Sequence, residues 1–142
     1  MNIKNMMRTT AGFGMTVLRI PIGIIFIGHG LPKYGWNGGS LSGTAEFMGS
    51  LGLPFPQLMA ILAGGAEIFG GALLVLGLFT RFAAATLAVT MFVAIFWVHW
   101  DNGLLGSGGY QWALALFAAS IALMLDGAGK LSVDQMLSSS ER

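Results

Sequence analysis

The sequence has 142 residues, of which 55% are hydrophobic, 22 are glycine and only 9% are charged, against the roughly 25% charge usual in soluble domains. That excludes a disordered chain, which needs high polarity, and an ordinary soluble domain, which needs a charged surface; an integral membrane protein fits. A formal charge of +1 gives no basic field for nucleic acid, so none is expected as a partner, and zero cysteines exclude disulfides, thiolate ligands and any CxxC redox pair.

In chain order, four apolar stretches have the length of a bilayer crossing: about 11–31, 56–79, 82–100 and 110–125. The spacing predicts an all-α, integral membrane four-helix bundle of up-down topology, forming a single domain over 1–142. Arg19 interrupts the first stretch and no A-x-A site follows it, which reads as a span and not a signal peptide. Between spans one and two, the glycine-rich connection Tyr34 to Phe55 contains one short interfacial helix, carried by Ala45, Met48 and Leu51. The turn through Thr80 and Arg81 makes spans two and three antiparallel neighbours, and Asp101 to Gly109 is a second glycine-rich loop. After span four, Ser132-Val-Asp-Gln matches a capping box and predicts a brief helix in the tail. Lys4, Arg8, Arg81, Lys130 and Arg142 fall on one side of the spans and only Lys33 on the other, so both termini are expected in the cytoplasm.

Two charges lie well inside the spans. Arg19 and Glu67 come out at similar depths from the inner ends of spans one and two, and a lone charge in lipid is costly, so they are expected to form an intramembrane ion pair. Small residues clear a face around Glu67 (Ala60, Ala63, Gly64, Gly70, Gly71), while Gly23, Phe26 and Gly30 share the Arg19 face of span one.

Every Trp and Tyr falls at or beyond the outer end of a span, where His29 and His99 also lie, with Lys33 one turn beyond His29 on the same face. An ordinary aromatic belt decorates both interfaces. The one-sided set predicts an outer ligand pocket formed by His29, Lys33, Trp36, Trp97, His99, Tyr110 and Gln111, with Asp101 and Glu46 nearby. Imidazoles hydrogen-bonding a quinone's carbonyls, with aromatic rings on its head group, make quinone the expected ligand. Two histidines could also ligate one haem, but nothing fixes both into the bundle, so haem is not expected; nor does their spacing with one acid form a metal site. There is no phosphate loop, nucleophile elbow or HExxH.

In its residues the chain resembles the DoxX family of small four-helix bacterial membrane proteins. The likeness rests on His29-Gly30-Leu-Pro-Lys33, Leu51-Gly-Leu-Pro54, Ala66-Glu67-Ile-Phe-Gly70-Gly71 with Leu76-Gly77-Leu-Phe-Thr80-Arg81, Met91 to His99, and Gly127-Ala-Gly129-Lys130-Leu-Ser132-Val-Asp134. The resemblance implies a multi-pass protein of the bacterial inner membrane, associated with redox work: relatives include a thiosulfate:quinone oxidoreductase subunit and a component of an oxidative-stress oxidoreductase complex. Similar proteins often carry Glu near Tyr110, where this chain has Gln111, and a neutral amide there does not handle protons.

The expected function is therefore that of a quinone-binding subunit of a membrane oxidoreductase or oxidative-stress complex. Its partners would be the lipid bilayer, a redox subunit that supplies electrons and, through the paired glycines, a second copy in a homodimer. Two other readings compete, a non-enzymatic scaffold subunit and a small-molecule transporter using the Arg19/Glu67 pair, and whether the chain is itself an enzyme is left open.

Overall fold

The structure, a computed structural model, describes residues 12–140. Lys4, Arg8 and Arg142, on which part of the orientation reading rests, and Ala11, the expected start of span one, lie outside them. Among the described residues all regular structure is helical. The long helices are α1 (Gly14–Tyr34), α3 (Pro56–Leu76) and α4 (Thr80–Asn102), of 21, 21 and 23 residues, each long and apolar enough to cross a membrane. Helix α5 (Gln111–Asp126) is apolar but has 16 residues, about 24 Å against a hydrocarbon core of about 30 Å. Three helices thus meet the length of a span, where the sequence reading expects four. Two short helices complete the fold: α2 (Leu41–Ser50) in the first long connection and α6 (Val133–Ser140) in the tail.

Helix α1 packs along α3 and α4 along α5, with the middle of α3 touching both α1 and α4. The α1–α3 seam is made by glycine. A Cβ on Gly23 would lie 2.5 Å from the Gly71 carbonyl oxygen, and one on Gly71 2.6 Å from that of Gly23, so the two backbones are in direct contact. Seven residues further along α1, a Cβ on Gly30 would meet Gly64 O and Glu67 Cβ, each at 3.0 Å. This is the small-residue face that the glycine spacing predicts, and close approach of this kind drives helix association where lipid removes the hydrophobic driving force. Phe26, Leu74, Leu87 and Leu123 fill the centre and are fully buried. Val17, Ile24, Leu76, Phe82 and Leu125 stand exposed around the outside, an apolar surface suited to lipid and not to water.

One end of the bundle, which carries Arg81, is closed by the tail. Helix α3 stops at Gly77, whose φ of 67° is the left-handed conformation glycine tolerates. Gly77 N–H donates to Leu74 O (3.1 Å) and Leu78 N–H to Leu73 O (3.0 Å), the paired bonds that satisfy the last carbonyls of a helix. Three residues later α4 begins, and its first amides, Phe79 N–H and Thr80 N–H, donate to the Asp134 carboxylate at 2.7 and 2.9 Å. A carboxylate at a helix N-terminus satisfies orphan donors and meets the positive end of the dipole. The capping box appears in half its expected form: Ser132 Oγ accepts from Gln135 N–H (3.3 Å), starting α6, while Asp134 caps α4.

Candidate functional site

Helix α3 is α-helical over Pro56–Gly65 and Gly71–Leu76, but Ala66–Gly70 between them is a π segment. Widened turns of this kind are uncommon and concentrate at functional sites. The one here carries Glu67, which is 4% exposed. Its Oε2 accepts from Lys33 Nζ at 2.5 Å, and Lys33 Nζ also donates to His29 O at 2.9 Å. Lys33 comes from the 3-10 turn Leu31–Tyr34 that ends α1, so its long stem runs back along the helix to the acid.

The expected Arg19/Glu67 pair is therefore corrected: Glu67 pairs with Lys33. Arg19, 1% exposed, is held by backbone instead. Its Nη1 donates to Leu74 O and Val75 O (2.7 and 2.5 Å), Nε to Ala128 O (2.9 Å) and Nη2 to Leu131 O (2.7 Å). A cation on the last carbonyls of α3 complements the negative end of that helix. The depth comparison misjudged the start of α1. Among the described residues the helix begins at Gly14, so Arg19 lies only five residues, about 7 Å, from its end. A transporter coupled through an Arg19/Glu67 pair loses its basis.

At the end of the bundle that carries Lys33, a cavity of about 1330 Å³ opens between α1, α2, α3, α4 and α5. Its wall is largely aliphatic and aromatic, from Phe26, Met59, Leu62, Val93 and Leu116 among others. Of the predicted pocket residues, His29, Lys33 and His99 line it together. Trp36, Trp97, Tyr110 and Gln111 do not. Trp36 and Trp97 are largely exposed, on the 3-10 turn after α1 and on another face of α4. Tyr110 is turned onto Trp100, rings stacked 5.5 Å apart, at the end of a ladder running through Phe96 and Phe92. Gln111 opens α5 on an exposed face, and Glu46 and Asp101 are likewise exposed outside the cavity. Trp36 and Trp97, exposed beside the cavity end of the bundle, are side chains of the kind enriched at the edge of a bilayer.

Five hydrogen-bonding side chains of the wall, from α1, α3, α4 and α5, lie outside the expected pocket set. Glu67 is expected to pair with Arg19, Tyr34 and Trp112 belong to the one-sided aromatic set without being placed in the pocket, and the threonines of α4, Thr86 and Thr90, carry no signal of their own. One clue was present: Lys33 is three residues beyond Gly30, on the face that the glycines clear for Glu67. Helix α2 contributes Thr44, Phe47 and Met48, so the short interfacial helix forms part of the wall as well as lying at the interface. His99 is in a second π segment, Ala94–His99, so the helices that carry Glu67 and His99 are both locally widened there, while α1, which carries His29 and Lys33, is not.

The DoxX family model matches residues 14–100, more than half of the chain and most of the cavity wall. The chain belongs to the DoxX family. Among its relatives, "Putative oxidoreductase CatD" of Bacillus subtilis is 36% identical over 121 residues, covering 85% of this chain and 84% of its own length. "Inner membrane protein YphA" of Escherichia coli is 32% identical, covering 85% and 88%. "Uncharacterized membrane protein Rv3486" of Mycobacterium tuberculosis is also 32% identical, covering 85% and 79%. No solved structure gives a significant match.

Proposed function

We propose that this DoxX protein is a multi-pass protein of the bacterial inner membrane whose cavity at the Lys33 end binds a quinone-type ligand, as part of a membrane redox system. In this reading α5 is the fourth span, both termini are cytoplasmic, and the cavity opens at the outer leaflet, as the one-sided distribution of Lys and Arg requires. The observation that carries it is the cavity itself: about 1330 Å³, walled by apolar side chains, with Lys33, Glu67, His29 and His99 gathered on it. A wide apolar chamber with a few fixed polar groups suits a flat, largely apolar ring bearing oxygen substituents. The membership in the family and the oxidoreductase name of a relative at 36% identity support a redox role. With no cysteine to relay electrons, the chain acts with a redox partner subunit that reduces or oxidises the ligand.

The test is titration of the purified protein in nanodiscs with decylubiquinone, in its oxidised and reduced forms. Saturable binding near one ligand per chain, in either form, is expected; absence of saturable binding in both contradicts the proposal.

A further inference from the structure

A ligand is recognised by what the cavity wall leaves unpaired, and the wall can be inventoried donor by donor. Each histidine uses Nδ1 on a backbone carbonyl: His29 on Ile25 O at 2.9 Å and His99 on Gly108 O at 2.7 Å. A carbonyl can only accept, so Nδ1 carries the proton in both rings, and in a neutral imidazole this leaves Nε2 as a bare acceptor. The hydroxyls of the wall do the same. Tyr34 donates to Ile61 O (2.7 Å), Thr44 to Ser40 O (2.9 Å), Thr86 to Phe82 O (3.1 Å) and Thr90 to Thr86 O (3.2 Å). Every one of these protons is committed to backbone, so what the oxygens can offer a ligand is lone pairs. Glu67 offers Oε1, since its Oε2 holds Lys33.

Against this run of acceptors, the side-chain donors of the wall are two: the third N–H of Lys33, whose other two face Glu67 and His29 O, and the indole N–H of Trp112. The balance reverses the expectation that the imidazoles donate to quinone carbonyls. A dicarbonyl brings only acceptors to a wall already rich in them. A ring bearing hydroxyls brings the donors that the wall lacks, and its oxygens still accept from Lys33 and Trp112.

We infer that the cavity selects a ligand that supplies its own O–H donors, so that of the two redox forms of a quinone-type ligand it holds the hydroxylated quinol in preference to the dicarbonyl quinone. The inference rests on the binding proposed above and deepens it. Tighter binding of the reduced form raises the potential of the bound couple, by about 30 mV for each tenfold difference in affinity of a two-electron couple. A site of this kind favours retention of the reduced ligand.

The experiment compares decylubiquinol, kept anaerobic, with decylubiquinone on the same nanodisc preparation. The expected result is quinol binding about tenfold or more tighter, with His99→Phe weakening quinol more than quinone and so narrowing the ratio. Equal affinities, or tighter quinone binding, overturn the inference while leaving the quinone-type site standing. Failure of both forms to bind overturns the site itself, and the inference with it. A haem Soret band in the purified protein also overturns the inference, because histidines with Nδ1 on carbonyls and Nε2 free are equally set up to ligate iron.

Discussion

Arg19 and Lys33 are both basic residues of α1, the first buried and the second half-buried, and they are satisfied by different means. Arg19 reaches four carbonyl oxygens at the end of α3 and in the tail, and needs no acid. Lys33 has a compact ammonium that bonds one carboxylate and one carbonyl. Two outcomes follow. Arg19→Leu strips the donor from all four carbonyls and should destabilise the fold by about 3 kcal/mol or more, read by SDS unfolding, with ligand affinity of the folded fraction unchanged; unaltered stability would contradict the role given to Arg19. Lys33→Met leaves the buried Glu67 carboxylate without its partner and should cost about 3 kcal/mol, Glu67→Gln leaves a half-buried ammonium and should cost less, and the double variant should cost clearly less than the sum; additive costs would contradict the pair. That the buried charges must be satisfied was legible in the sequence. Which partner each finds was not, because a guanidinium can be satisfied by backbone, and which carbonyls lie free depends on where helices end.

Elements were far more legible than pairings. Spans expected at 56–79 and 82–100 appear as Pro56–Leu76 and Thr80–Asn102, with the boundary moved by the left-handed Gly77 and the Asp134 cap. The short helix expected through Ala45, Met48 and Leu51 is Leu41–Ser50, started by Ser40 Oγ accepting from Gly43 N–H at 3.0 Å. The two π segments left no mark in composition or spacing, since they arise from packing and not from propensity. Glycine spacing, by contrast, gave the α1–α3 seam in advance. It predicts that Gly23→Ala, whose Cβ would press on the Gly71 carbonyl, costs about 1–3 kcal/mol. Gly28→Ala, on an open face of the same helix, should be neutral or stabilising by up to about 1 kcal/mol. Equal effects of the two in unfolding would remove the close seam from the account.

In the whole molecule the polar chemistry divides between the ends. Arg19, Asp134 and Ser132 tie helix ends and tail together at the Arg81 end, while Lys33, Glu67 and both histidines line a cavity at the other. The sequence placed the histidines, the lysine and most aromatics at that end but could not sort wall from rim. Facing direction depends on helix rotation and on the widened turns, so Trp112 lines the cavity while Trp36, Trp97 and Tyr110 remain outside it. The central claim is that this cavity is the ligand site. Ala94 lines it from the second π segment, and Ala94→Phe fills part of its volume without touching a polar group. The deciding measurement is titration of wild type and Ala94→Phe with decylubiquinol and decylubiquinone under matched conditions, with SDS unfolding of both to verify the fold. The account predicts saturable binding to wild type that is weakened at least tenfold in a stably folded Ala94→Phe; equal binding by the two proteins, or none by wild type, would contradict it.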